Sequence, residues 1–214
     1  MAGSLSGALA GVVAANGAVM QPIPICALLD SKLLARLSEI IIARGITTVV
    51  ETGIDKGGST FLFSQMAEKV IGIDNVPARI ESVRATLQQD GVENVTLLEM
   101  NSPDALRTLV AKGLDAEHTL FFLDAHWQAY WPLKDEIRAI PRGQGVLVMH
   151  DARVPDCPSL GVDSYDGQEL SYEYLHDVLT EWSPLHVVEY NDESAEFPHR
   201  GVMIVYPMVP EAAA

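Results

Sequence analysis

Apolar and polar positions alternate along the chain with two periods that take turns. From Asp30 onward Leu33, Leu34, Leu37, Ile40 and Ile41 recur at helical spacing, with Asp30 or Ser31 as N-cap and Gly45 as the stop. Thr47-Thr48-Val49-Val50 follows at once, a β-branched run without polar alternation, which suits a parallel strand buried on both faces. The pairing then repeats. Helical spacing over Ser59 to Ala67 leads to Val70-Ile71-Gly72-Ile73, and Ala78 to Gln89 leads to Val95-Thr96-Leu97-Leu98. Pro103 to Lys112 leads to Leu120-Phe121-Phe122-Leu123, and Leu133 to Ile140 leads to Val146-Leu147-Val148-Met149.

Five strands separated by helical crossovers predict a doubly wound α/β fold with right-handed connections and helices on both faces. After Asp151 the pattern breaks into a stretch rich in Pro, Asp, Gly and Tyr, Ala152 to Leu170, too long for a mere connector and a plausible lid. A helix around Tyr172 to Trp182 follows. His186 to Tyr190 and Gly201 to Tyr206 then read as an antiparallel hairpin across Asn191 to Arg200, completing a mostly parallel seven-stranded sheet. Residues 1–29 are read as an N-terminal arm and 30–214 as one domain, with Pro207 to Ala214 a frayed tail.

Composition narrows the partners. Acidic residues outnumber basic ones 29 to 14, a net charge of −15, and the basic residues are scattered singly. Such a surface repels phosphate backbones and anionic membranes, so no nucleic acid or membrane is expected and a small neutral or cationic acceptor is favoured. Ala2 to Met20 lacks a basic start and is interrupted by glycines, unlike a signal peptide or a membrane span. The two cysteines, Cys26 and Cys157, form neither a CxxC pair nor a disulfide framework, so a reducing, cytoplasmic setting is the simpler expectation. A homo-oligomer is left open.

In an open sheet of this kind the ligand binds beyond the carboxyl ends of the strands, near the reversal of strand order. Read in order, the strand ends are Glu51, Asp74, Asn101, Asp124 and His150-Asp151, a polar set on apolar strands. The first turn, Glu51 to Thr60, holds Gly53, Gly57 and Gly58 ahead of a helix; a tight strand-to-helix connection uses the same glycines. Asp74 lies 23 residues after Glu51, where a carboxylate can accept from both ribose hydroxyls. NAD and S-adenosylmethionine share that feature. Asp55 replaces the middle glycine of a dinucleotide fingerprint and would oppose a diphosphate with like charge, whereas a sulfonium and an ammonium tolerate it.

Val-Val-Glu-Thr-Gly with Gly-Gly-Ser-Thr, Ile-Gly-Ile-Asp at 71–74, Phe-Leu-Asp-Ala-His-Trp at 122–127 and Val-Met-His-Asp at 148–151 together resemble class I S-adenosylmethionine-dependent methyltransferases. The nearest likeness is to the macrocin O-methyltransferase and cephalosporin-hydroxylase-like group, over roughly residues 45–206 by order of motifs. The resemblance implies that Glu51 and Gly53 hold the methionine part, Asp74 the ribose, and Asn101 or Ser102 the adenine. Thr52, Gly58, Ser59, Asn75 and Asp124 are counted with the cofactor site. It implies a catalytic His126 as general base with Asp124 and Asp151, and a divalent metal (Mg²⁺ or Mn²⁺) at Asp124, His150 and Asp151. Two departures stand out: Asp124-Ala125-His126 is one residue shorter than the family's Asp-Gly-x-His, and His150 replaces an acid, which shifts preference away from Mg²⁺. Trp127, Tyr130 and Trp131 could wall an acceptor, or simply pack in the core. O-methylation of a small sugar, phenol or natural product is the expected reaction; an NAD-linked oxidoreductase and a cofactor-binding protein without turnover are the alternatives.

Overall fold

A computed structural model describes residues 24, 26, 30–126, 130–192 and 199–208. The reading of residues 1–29 as an arm lies outside these, apart from Pro24 and Cys26; so do Trp127 and most of the tail. In chain order the elements are α1 (Ser31–Ala43), β1 (Thr48–Thr52), α2 (Gly58–Ser64), β2 (Lys69–Asp74), α3 (Pro77–Gln89), β3 (Val95–Glu99) and α4 (Ser102–Ala111). They continue with β4 (Thr119–Leu123), α5 (Leu133–Ala139), β5 (Val146–His150), β6 (Ser164–Tyr165), β7 (Gln168–Glu169), α6 (Tyr172–Trp182), β8 (His186–Tyr190) and β9 (Val202–Pro207).

The seven-stranded sheet runs β3-β2-β1-β4-β5-β9-β8. Its first five strands are parallel, and β9 joins antiparallel to β5 and to β8. Strand order reverses between β1 and β4, which pair in register from Thr48 opposite Thr119 to Thr52 opposite Leu123. Their carboxyl ends therefore finish level, and the turns after Thr52 and Leu123 face one another.

Successive side chains of a strand point to opposite faces, and the two main cores divide accordingly. Val49, Leu120, Phe122 and Val148 join Leu33, Leu37, Ile40 and Ile41 of α1 and Phe63 of α2 on one side. Val50, Phe121, Leu123, Leu147 and Met149 join Leu106 of α4, Ile137 of α5 and Leu175, Val178 and Leu179 of α6 on the other. Burying one such Leu, Ile or Phe stabilises the fold by about 1.5–3 kcal/mol, so two covered faces explain central strands with runs of consecutive apolar residues. The N-cap of α1 is Asp30, whose carboxylate accepts from the Lys32 and Leu33 N–H groups at 3.0 and 3.3 Å. No helix of the described residues is long and apolar enough to cross a membrane.

The stretch expected as irregular, Ala152 to Leu170, contains the small hairpin β6–β7. Its two-residue turn, Asp166-Gly167, has φ of 49° and 80°, the left-handed pair that matches the twist of a tight hairpin. The Asp-Gly dipeptide carried that signal, but flanking strands of two residues were too short to show periodicity.

Candidate active site

The first turn is built around Gly53. At φ 78° it occupies the left-handed region, and a Cβ there would stand 2.5 Å from the Asp124 carbonyl oxygen and 2.9 Å from Ala125 Cα. Glycine is required because the chain beyond β4 passes directly against it. Asp55 also adopts a glycine-like φ of 43°. Gly58 is tight for a different reason: a Cβ would meet the Pro24 carbonyl oxygen and Cys26.

Glu51 is wholly buried beneath this turn, accepting from the hydroxyls of Ser59 and of Thr60, the latter at 2.5 Å. Burial pushes its carboxyl up to about 7, and the two hydroxyls only partly oppose it. Thr52, also buried, accepts from the Asp124 N–H through its carbonyl at 3.1 Å and is positioned to do so through Oγ1 at 3.3 Å. Asp124 is thereby tied to the end of β1.

A cavity of about 300 Å³ lies above these strand ends. Gly53, Asp74, Asn75, Ser102, Asp124, His126, His150 and Asp151 line it, whereas Glu51, Thr52, Gly58, Ser59 and Asn101 are not among its lining residues. Asp74 Oδ1 accepts from the Val76 N–H at 2.9 Å, and Oδ2 lies 3.5 Å from Arg79, whose guanidinium is also 3.6 Å from Asp55. Arg79 thus bridges the ribose candidate and the first turn, a role that no motif announced.

At the other end of the cavity the β4 and β5 ends meet. His150 Nδ1 is 3.1 Å from Asp124 Oδ1 and 3.2 Å from Asp151 Oδ1. His126 Nδ1 donates to the Asp124 carbonyl oxygen at 2.7 Å, while Nε2 lies 2.9 Å from Asp163 and 3.4 Å from Asp151. Both ring nitrogens of His126 face acceptors, so both carry protons and the ring is an imidazolium. Burial acts against that charge, but Asp151, Asp124 and Asp163 outweigh it and raise His126 to about 9. His150 rises to about 10 on the same balance, with Asp124 and Asp151 overcoming burial. Asp151 itself, although burial opposes ionisation, is held far below the carboxylate range by His126, His150 and Arg200. Its φ of 63° marks a left-handed backbone that Asp tolerates better than most residues.

Two members of this cluster were not expected. Asp163 comes from the long segment after β5: its N–H donates to the Asp151 carbonyl and its carbonyl accepts from Leu170, each at 2.9 Å. Arg200, just before β9, donates to both Asp151 and Asp163. Asp163 stood inside the Gly-flanked acidic loop, a weak signal, while a lone Arg in a turn-rich stretch gave none. The three carboxylates are therefore matched by one guanidinium and two imidazoliums. Among the described residues Asp124, His126 and Asp151 also offer one ligand atom each within 4.8 Å of one another, a set that could hold a cation. Beside the cluster Trp131 packs against Tyr165 of the small hairpin and Tyr174 of α6, with ring centroids at 4.8 and 5.2 Å. Tyr130 is instead exposed and bonded to Asp135.

These groups fix a pH dependence of stability. Glu51 and Glu136 are raised from 4.5 to about 7, and His126 and His150 from 6.5 to about 9 and about 10. All four keep protons that the unfolded chain releases, so their stabilisation is complete below the unfolded values. The carboxyl contribution is lost as pH rises from 4.5 to 7, and the imidazole contribution from 6.5 to about 10. Asp151 acts oppositely, its contribution being lost as pH falls below 3.8. Thermal unfolding of chelator-treated protein is expected to show a maximum at about pH 4 and a decline from there toward pH 9. A Tm that climbs from pH 5 to 8 would contradict this assignment.

No protein-family model matches the chain, and no curated protein does. Solved structures do. The cofactor-bound protein Rv0187 from MTB is similar at 24% identity and a TM-score of 0.56, covering 87% of this chain and 83% of its own. An O-methyltransferase from Bacillus cereus in complex with S-adenosylhomocysteine (SAH) reaches a TM-score of 0.59 at 14% identity, over 87% and 84% of the two chains. A precorrin 8W decarboxylase from Methanobacterium thermoautotrophicum reaches 0.52 at 17% identity, over 93% and 100%. At these identities the likeness is one of architecture: the chain shares the doubly wound, Rossmann-like α/β fold of these structures.

Proposed function

We propose that the chain is an S-adenosylmethionine-dependent enzyme that O-methylates a small hydroxylated molecule. The observation that carries this reading is a single cavity with Asp74 at one end and Asp124, His126 and Asp151 at the other. The cofactor, when bound, supplies an electrophilic methyl group for in-line displacement; the protein positions the acceptor and disposes of its proton.

Asp74 is placed to accept from ribose hydroxyls once Arg79 yields its Oδ2. Gly53, Asn75 and Ser102 border the same space. His126 is the proton acceptor in its neutral form, and Asp163 and Asp151 hold the imidazolium that results. A divalent ion, where bound, would be held by Asp124, His126 and Asp151 and would lower the pKa of the acceptor hydroxyl. Two carboxylates and an imidazole suit Mn²⁺ or Zn²⁺ better than Mg²⁺.

Titration with SAH and with NAD tests the class. Micromolar binding of SAH and none of NAD is expected, because Asp55 lines the cavity at the turn where a dinucleotide site holds its diphosphate. Asp74→Ala should weaken SAH by ~1–3 kcal/mol, the usual cost of unsatisfied hydroxyl partners. Binding of NAD alone would sink the methyltransferase reading; tight SAH binding with no transfer across a broad panel of phenols, sugars and amines would leave a binding protein.

A further inference from the structure

The acid cluster beyond β5 already holds a permanent cation. Arg200 donates through Nε to Asp151 Oδ1 and through Nη2 to Asp163 Oδ1. The fold builds a seat for it. The Gly161 N–H donates to the His199 carbonyl at 2.8 Å and the Gly201 N–H donates to the Gly161 carbonyl at 3.0 Å, so Arg200 is pinned on both sides. A Cβ on Gly161 would stand 2.8 Å from Arg200 Nη1 and 2.9 Å from its Cδ, so the side chain passes over that residue only because it is glycine. A Cβ on Gly201 would fall 2.0 Å from the Ala152 carbonyl oxygen, so the chain after Arg200 is pressed against the segment that leaves Asp151. Glycines on two different segments therefore serve one ion pair.

This contact bears on the ion that Asp124, His126 and Asp151 could hold. Such an ion would share Asp151 with the guanidinium, setting a divalent charge within a few ångströms of a fixed positive one. Arginine cannot shed its proton to make way. Asp151 Oδ1 also faces His150 Nδ1 at 3.2 Å, and Oδ2 faces His126 Nε2 at 3.4 Å, so both oxygens are already engaged. His126 Nε2 in turn lies 2.9 Å from Asp163, whose other oxygen accepts from Arg200. We propose that Arg200 is the resident counter-cation of this cluster, holding Asp151 and Asp163 in place of a divalent metal and opposing the binding of such an ion. Its consequence rests on the methyltransferase reading: transfer runs without a metal, and Arg200 is a positioning residue that acts on His126 through Asp151 and Asp163.

The test is Mn²⁺ binding to wild type, Arg200→Met and Gly161→Ala, read by loss of the free ion's electron paramagnetic resonance signal. Wild type is expected to bind weakly, with Kd of about 1 mM or above, the weak end for protein cation sites. Arg200→Met should bind roughly tenfold more tightly or better, because the fixed charge is gone. Mn²⁺ should then raise the Tm of Arg200→Met and leave that of wild type in place. Gly161→Ala keeps every charge but crowds the guanidinium from its seat, and should gain affinity by about threefold or more. An arginine that supports a metal from behind its ligands gives the opposite sign, with Arg200→Met binding more weakly than wild type. That result, equal affinity in the two proteins, or micromolar binding by wild type overturns the assignment. Should Arg200→Met fail to fold, the same comparison of wild type with Gly161→Ala decides. Wild type that shows the expected Mn²⁺ pattern but no binding of SAH overturns the methyltransferase reading, while the counter-cation stands.

Discussion

His126→Ala is expected to lower methyl transfer by about 10²–10⁴-fold, the usual worth of a positioned base, while SAH still binds through Asp74 and the first turn. The wild-type rate should also carry the signature of this base. His126 is raised to about 9, so at pH 7 nearly every molecule holds it protonated and unable to accept. With an acceptor found in the panel and chelator in excess, kcat/KM should climb about tenfold per pH unit from pH 7 and level off near 9. A rate that vanishes on chelation and returns with Mn²⁺ or Zn²⁺ would assign His126 to a cation held with Asp124 and Asp151, and would remove it from the role of base.

Asp151→Ala should be the most damaging substitution for the fold itself. Its carboxylate contacts Arg200, His126 and His150, with its side chain about nine-tenths buried. Removing it leaves cationic groups facing one another with Asp124 and Asp163 as their remaining partners. Breaking a buried pair from one side costs about 3–5 kcal/mol, a large part of a domain's whole stability. Urea unfolding at pH 7 should show that loss in the midpoint with an unchanged slope. Arg200→Met in the Asp151→Ala background should recover part of it, because one stranded charge disappears. A loss below about 1 kcal/mol would mean that the cluster is solvated rather than sealed.

Strands and crossovers were legible because burial on both faces leaves no ambiguity. Val49-Val50 and Phe121-Phe122 must pack on opposite sides, and each does. The strand-end rule likewise brought Asp74, Asp124, His126, His150 and Asp151 to one cavity. What the sequence could not convey was the direction of side chains and the reach of distant turns. Glu51 lies one residue before the end of β1 and Asp74 ends β2, and Glu51 turns to Ser59 and Thr60 whereas Asp74 faces the cavity. Asp163 and Arg200 lie 37 residues apart and meet only because Gly161 and Arg200 bridge the chain. Glu136 sits in Leu133-Lys134-Asp135-Glu136, where the adjacent acid is half-buried and the next is sealed, a distinction that depends on helix phase and on its neighbours α4 and α6.

The match of three carboxylates by Arg200, His126 and His150 governs how a ligand arrives. Opposite charges a few ångströms apart cancel beyond the cavity mouth, so the cluster casts little field into solvent. The pull on a cationic sulfonium comes from the many outlying acids behind the net charge of −15, over distances where salt screens it. Encounter and residence are thereby divided between different parts of the molecule. Raising ionic strength slows capture of the cofactor, while its departure, set by contacts inside the cavity, keeps nearly the same pace.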